Sequence, residues 1–352
     1  MSDAIKLGMG IGYSGAEMQL PVESVLLAER LGYDSVWTAE TYGSDAITPL
    51  AYLAALTKDI RLGTSIIQTA ARSPAATAMS MQTLDAMAGG DRVICGLGVS
   101  GPQIVEGWYG RAWGKPYYML RDYMQIMKKI GERGAPVEHE GREYPLPYDG
   151  PGSQHLGKPL MSILHPNPKL PIWLGSGSES NVRLAAEHGD GLLPLGFTPA
   201  RMPEYMAWIN EGFERAGGGK SMADFEIQTG VTVEITDDVA GALRRRKPGV
   251  ALYVGGMGHR DMNFHKEQMI RRGYGEAAER IQELFLDHRK AEALEEVPDE
   301  FVDETCLVGP VARIKERFAA WRDCGLTGMT ISGSNPETLE LMADLAEIRP
   351  RD

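Results

Sequence analysis

The sequence predicts a (β/α)8 barrel, and three observations carry that prediction. Short β-rich runs alternate with amphipathic helical runs; there are eight of the former, and nearly all of them are separated by one of the latter. Such alternation makes parallel strands joined by right-handed crossovers. Eight units that close on themselves form a barrel, with an open doubly wound sheet as the competitor. The barrel is favoured because the strands spread across all 352 residues with no sign of a second domain core.

In chain order, Lys6–Tyr13 reads as a strand and Val22–Arg30 as a helix. Asp34–Trp37 is the second strand and runs into Thr38-Ala39-Glu40; Thr48–Leu56 is helical. Ile60–Ile67 and Arg92–Leu97 are strands, followed by helices Ala75–Met87 and Tyr118–Ile130 respectively. Met79, Met81 and Met87 repeat at helical spacing and read as core filler. Pro171–Leu174 and Gly191–Pro194 are short strands around the helical run Asn181–Glu187. Phe225–Ile235 is a strand, Val311–Cys324 a helix, and Met329–Ser332 the last strand. Residues 135–169, rich in Pro, Gly and His, and residues 244–300, with extra helices, read as insertions in a single domain of residues 1–352.

Composition narrows the function. With 36 basic and 48 acidic residues the net charge is −12, so no global positive field draws in nucleic acid or an anionic membrane. Cys95, Cys306 and Cys324 are odd in number and far apart, which gives neither a disulfide framework nor a zinc cluster and suits a reducing, cytoplasmic setting. No signal peptide, membrane-spanning run or lipidation motif is expected.

Several motifs admit two readings. Gly96-Leu-Gly-Val-Ser-Gly101 matches G-x-G-x-x-G, with Asp122 about twenty residues on. It follows the fourth strand rather than the first, and Pro102 comes directly after it, so a dinucleotide fingerprint is rejected. Its glycines either let backbone approach a ligand at a strand's C-terminal end, where barrels place active sites, or make a plain tight turn. Gly175-Ser-Gly-Ser178 opens a helix: it is an anion site or, as local chemistry favours, a cap by Ser178 with Glu179 in the first turn. Glu40, at the end of the second strand, is either an acid/base or a hydrogen-bonded structural carboxylate. His259, Asp261 and His265 do not align as ligands on one helix face, so no metal is expected. Neither a G-x-S-x-G elbow nor a P-loop occurs.

Taken together, the strand ends resemble a known family. Val36-Trp-Thr-Ala-Glu40, Arg61-Leu-Gly-Thr-Ser-Ile66, Gly96-Leu-Gly-Val-Ser-Gly-Pro-Gln103 with Val105-Glu-Gly-Trp-Tyr-Gly110, and Pro171-Ile-Trp-Leu-Gly175 with Asp190-Gly191 occur in order. The chain resembles the bacterial luciferase-like oxidoreductases, most closely the branch that uses coenzyme F420, over essentially its whole length, including Gly255-Gly-Met-Gly258 and Asn263-Phe-His265.

The resemblance implies a barrel with the cofactor in its C-terminal mouth, commonly as a homodimer. It implies a cis peptide at Ser65-Ile66 whose bulge backs the ring system. It places Gly98, Val99 and Ser100 along the cofactor, Gly175, Ser176 and Gly177 near its phosphate, and Leu193 and Pro194 in the same pocket, which reverses the preference for a cap. The absence of a histidine at Thr41 sets the chain apart from relatives that oxidise glucose 6-phosphate. Ser178-Glu179 replaces a common Gly-Pro. The expected activity is F420-dependent hydride transfer to or from a small organic substrate, with Glu40 handling the proton. An FMN-dependent monooxygenase and a non-enzymatic cofactor carrier are the alternatives. Residues 135–169 and 244–300 are expected to shape the substrate pocket.

Overall fold

The computed structural model describes residues 5–350 of the chain; the outermost residues, on which the readings of the two termini partly rest, lie outside them. Its strands are β1 (Lys6–Gly12), β2 (Ser35–Thr38), β3 (Arg61–Thr64), β4 (Ile67–Gln68), β5 (Val93–Gly98), β6 (Ile172–Ser176), β7 (Gly191–Pro194), β8 (Glu226–Ile235), β9 (Cys306–Gly309) and β10 (Gly328–Ser332). Strands β1, β2, β3, β5, β6, β7, β8 and β10 pair in parallel, in that order, and β10 returns to β1. The closed eight-stranded barrel is the architecture expected from the alternation.

Two strands depart from the expected eight runs. The single run Ile60–Ile67 is divided into β3 and β4 at Ser65-Ile66, where the peptide bond is cis. Beside the break, the Thr64 hydroxyl donates to the Gly96 carbonyl at 3.0 Å and accepts from the Gly96 N–H at 2.9 Å, standing in for ladder bonds. The second departure is β9, which the alternation did not reveal. Strand β8 is ten residues long; Gln228–Thr232 pairs with β10 inside the barrel, while Thr232–Ile235 runs on to pair with β9. Between β8 and β9 the chain makes a helical excursion, Val239–Asp303, with an apolar core of its own that includes Val254, Met269, Ile281 and Leu284.

Helices flank the barrel through periodic apolar faces. Met202–Ala216, absent from the sequence reading, buries Met202, Tyr205, Ile209 and Phe213 at spacings of three and four. In helix Pro74–Met87 the methionine stripe needs correction: Met81 is buried, but Met79 and Met87 are exposed. Two and six residues from Met81, they fall on other faces of a 3.6-residue period.

Inside the barrel, aromatic bulk faces glycine. Trp37 is flanked in register by Gly10 and Gly63, and Trp173 by Gly96 and Gly191. A Cβ on Gly63 would come within 2.4 Å of the Trp37 ring, and one on Gly191 within 2.5 Å of Trp173. Below them, at the strand N-termini, Arg61 pairs with Asp34 at 2.6 Å and Glu226 at 2.8 Å, and Lys6 pairs with Glu226 at 2.8 Å. Burial alone raises the Glu226 pKa, but the hydrogen bonds and charges of Arg61 and Lys6 outweigh it and hold the carboxyl below its usual range.

Gly63→Ala should therefore destabilise the fold by about 1–3 kcal/mol or more through overpacking. Gly230→Ala, where a Cβ has open space, should be neutral or slightly stabilising. Urea denaturation of the two variants checks the contrast.

Candidate functional site

The C-terminal ends of the barrel strands open into a cavity of about 1310 Å³. Every residue that the resemblance assigns to the cofactor, and Glu40, lines it: Glu40; Ser65 and Ile66; Gly98, Val99 and Ser100; Gly175, Ser176 and Gly177; and Leu193 and Pro194. Glu40 and Pro194, 154 positions apart in sequence, are thus brought to one mouth.

The floor is apolar. Trp37 and Leu193 pack together with Trp173 and Ile94, and Ile66 lies against them. Ile66 occupies the space that side chains at Gly98 and Gly175 would fill, with Cβ positions 2.8 and 2.7 Å from its carbons. The Gly96–Gly101 segment is a turn and a cavity wall together. Ser100 has φ 62°, and Gly101 precedes the short helix Pro102–Gly107.

At Gly175–Ser178 the cap reading fails on geometry. Ser178 occupies the N-cap position of helix Glu179–His188 but makes no side-chain cap hydrogen bond. Orphan N–H groups of that first turn are therefore left without the cap, and the Ser176 and Ser178 hydroxyls lie 3.4 Å apart. The Glu179 carboxylate is paired with Arg183 one turn on, which in turn binds Glu211 at 2.6 Å. Arg271 lines the same end of the cavity and donates to the Gly177 carbonyl at 3.3 Å. Serine hydroxyls, an open helix N-terminus and a guanidinium give this end the donors that an anion needs.

Glu40 is fully engaged. Its carboxylate accepts from the Gln68 N–H at 2.9 Å, from the Ala46 N–H at 3.2 Å, and from Arg72 Nη1 at 2.8 and 2.9 Å. Its carbonyl accepts from Gln68 Nε2 at 2.9 Å, and its N–H donates to the Ile66 carbonyl at 3.4 Å. These contacts tie the loop after β2 to the segment around Ile66.

The roof comes from the β8–β9 excursion: Tyr253, Met257, Met262, Phe264 and His265 line the cavity. Residues 135–169, expected to shape the pocket, do not reach it. They are held on the outside of the barrel, where Asp122 accepts from the Glu143 N–H at 2.8 Å and Gln82 and Asp85 bind Asn167. The sequence analysis does not single out Arg271 or Tyr253, and it weighs His265 only as a metal ligand and as part of the Asn263-Phe-His265 resemblance. Asn263 was the available signal, because it caps helix Phe264–Arg271 through the His265 and Lys266 N–H groups. His259 and Asp261 stay exposed and paired with each other at 3.6 Å, away from the cavity. His265 instead sits against Tyr253, ring centroids 4.6 Å apart, and burial lowers its pKa to about 4.

Comparison with known proteins agrees with this geometry. The luciferase-like monooxygenase family model matches residues 4–328. The chain is 44% identical over 347 residues to the Mycobacterium tuberculosis protein named "Putative coenzyme F420-dependent oxidoreductase Rv3520c", covering 98% of this chain and 100% of that one. It is 26% identical over 311 residues to 5,10-methylenetetrahydromethanopterin reductase of Archaeoglobus fulgidus, 88% of each chain. Among solved structures, the coenzyme F420-dependent tetrahydromethanopterin reductase of Methanopyrus kandleri superposes with TM-score 0.75 at 20% identity, covering 96% of this chain and 97% of that one. An F420-dependent secondary alcohol dehydrogenase gives 0.74 at 17%, covering 99% of both. At those identities the two structures show the shared fold.

The His265 shift has a consequence for stability. An unfolded histidine titrates near 6.5, so between about pH 6.5 and 4 the unfolded chain binds a proton that the folded one does not. Stability contributed by the neutral imidazole is complete above about pH 6.5 and falls with falling pH. Between about pH 7 and pH 5 the wild type should lose roughly 1–2 kcal/mol more than His265→Asn, read from urea midpoints across pH.

Proposed function

The chain belongs to the luciferase-like monooxygenase family, and on that premise we propose that it is an oxidoreductase that uses coenzyme F420 to move a hydride to or from a small organic substrate. One observation carries this reading: a single cavity joins an apolar, glycine-walled floor to an anion-binding end. That combination fits a flat ring system with a phosphate-bearing tail. Ile66, Val99 and Leu193 would hold the ring; Ser176, Ser178 and the first turn of helix Glu179–His188 would hold the phosphate. Arg271 would answer the anionic tail, which the net charge of −12 otherwise disfavours. When bound, the deazaflavin supplies hydride chemistry, and the protein supplies position and electrostatics.

The cavity exceeds the roughly 300–1,000 Å³ common for a single ligand, which supports a cofactor and a substrate together rather than a carrier protein. FMN is the competing cofactor, and the 44% identical relative's name favours F420. Glu40 is read as a positioning residue: held by Arg72 and two backbone amides, it fixes the segment that carries Ile66. The chain is read as one barrel domain. Three free cysteines support a reducing, cytoplasmic compartment. Leu156, Leu160 and Ile163, exposed by 85%, 68% and 95% on the outer segment, support a homodimer, which sedimentation velocity checks.

Parallel fluorescence titrations should show F420 binding at least about tenfold more tightly than FMN; tighter FMN binding refutes the cofactor assignment. Arg271→Ala should weaken F420 binding by about tenfold and flatten its salt dependence, as loss of one charge-assisted contact predicts. Glu40→Gln should cost about 1–3 kcal/mol of stability and weaken cofactor binding, by loosening a buried ion pair. A proton-handling Glu40 would instead lose roughly 10²–10⁴-fold in turnover with stability and affinity kept.

A further inference from the structure

The cavity has two chemically distinct ends. The serines, the open helix N-terminus and Arg271 gather at one. Under the excursion, no cation among the described residues lines the wall beside His265: Met257, Met262 and Phe264 are apolar, Tyr253, Asn263 and His265 are polar, and the carboxylate of Glu267, further along the helix, lies 3.4 Å from Arg271. Asn263 fixes this wall. Its side chain accepts from the His265 and Lys266 N–H groups and donates to the Tyr253 and Val254 carbonyls at 3.0 and 2.8 Å. Helix Phe264–Arg271 and helix Lys247–Gly256 are thereby clamped together, and the His265 and Tyr253 rings are held against each other.

His265 has no hydrogen bond to its imidazole among the described residues, yet it lines the cavity and is neither exposed nor ion-paired. A polar side chain placed so needs a partner from the cavity. Its protonation state is set twice over. Burial disfavours the cation, and so does its position in the first turn of a helix, where the dipole is positive. The titratable groups gathered at this wall are Tyr253, with Tyr13 and Tyr42 beside it, and Glu267, one carboxylate that pairs with Arg271. Burial, and then the neighbouring Tyr13 hydroxyl, push the Tyr253 pKa up, so that phenol also stays neutral. A neutral imidazole donates an N–H to a ketone or alcohol oxygen but brings no positive charge to offset the desolvation of a carboxylate or phosphate, and the same device polarises a carbonyl in triosephosphate isomerase.

We propose that His265, supported by Tyr253, is the substrate-oxygen site of this cavity, selecting uncharged, largely apolar compounds with a carbonyl or hydroxyl oxygen and rejecting carboxylates and phosphates. The proposal rests on the oxidoreductase reading above and goes further by fixing the substrate class and the residue that holds it. Anions are directed to the Arg271 end, and uncharged carbonyl compounds to the histidine end.

Cyclohexanone and cyclohexanecarboxylate are matched probes, and histidine-ring NMR of ¹⁵N-labelled protein, with and without F420, reads the site directly. The His265 signal is assigned with His265→Asn. Cyclohexanone should shift the His265 ring nitrogens and leave His259 unmoved; the carboxylate should not shift them. His265→Phe should weaken cyclohexanone binding about tenfold, the loss of one hydrogen bond, while F420 affinity stays at the wild-type value. His259→Ala should change neither. The proposal is overturned if cyclohexanone leaves the His265 signal unmoved, if the carboxylate shifts it equally, or if His265→Phe binds the ketone as tightly as wild type. A wild-type protein that binds cyclohexanone at His265 but not F420 sinks the cofactor reading instead, so the two failures are distinguishable.

Discussion

Trp37 and Trp173 meet inside the barrel with 5.3 Å between ring centroids, and neither fits unless the adjoining strands give up their side chains. Gly63 and Gly191 do so, and Gly8 does so beneath the Trp37 indole. The exchange sets much else. It fills a barrel interior that eight parallel strands would otherwise leave too wide at this level. It separates the ionic layer of Lys6, Arg61 and Glu226 from the mouth. It also supplies a rigid apolar plane on which Ile66 and Leu193 rest. The cavity floor is the upper surface of a packed core, so its shape is fixed before any ligand arrives.

Charge is distributed to match. The molecule is acidic overall, yet its carboxylates near the mouth are taken up locally: Glu40 by Arg72, Glu179 by Arg183, Glu304 by Arg272 at 2.7 Å. Arg271 has only a long 3.4 Å contact to a carboxylate, that of Glu267, beside its 3.3 Å bond to the Gly177 carbonyl, which leaves its guanidinium less neutralised than that of Arg272 at the same rim. Local pairing, not net charge, decides what the mouth attracts.

The sequence disclosed the barrel because each strand and helix declares itself locally, by period and by Gly or Pro at its ends. It disclosed the floor because strand ends such as Gly98 and Gly175 are consecutive with strands that were already legible. The roof was different. His265 and Tyr253 meet only after an excursion of several helices folds back over the mouth, and no local period encodes that return. Strand β9 was hidden for the same reason: Cys306–Gly309 is four residues long and becomes a strand only because β8 overshoots the barrel. Glu40 marks a third limit. Its position was readable, but its partners, Arg72 and the Gln68 amide, lie about thirty residues away and determine whether a carboxylate moves protons or holds a loop.

The β8–β9 excursion has its own apolar cluster, distinct from the barrel's, and this bears on how the protein can change. Substitutions more than about 7–10 Å apart that share no partners add in their effects. Replacements within the excursion's core should therefore combine nearly independently with those in the barrel. Lineages can remodel the wall formed by residues 253–265 without retuning the glycine–tryptophan interlock below it. The ten residues of β8, which pair with both the barrel and β9, are the hinge between these two separately packed cores.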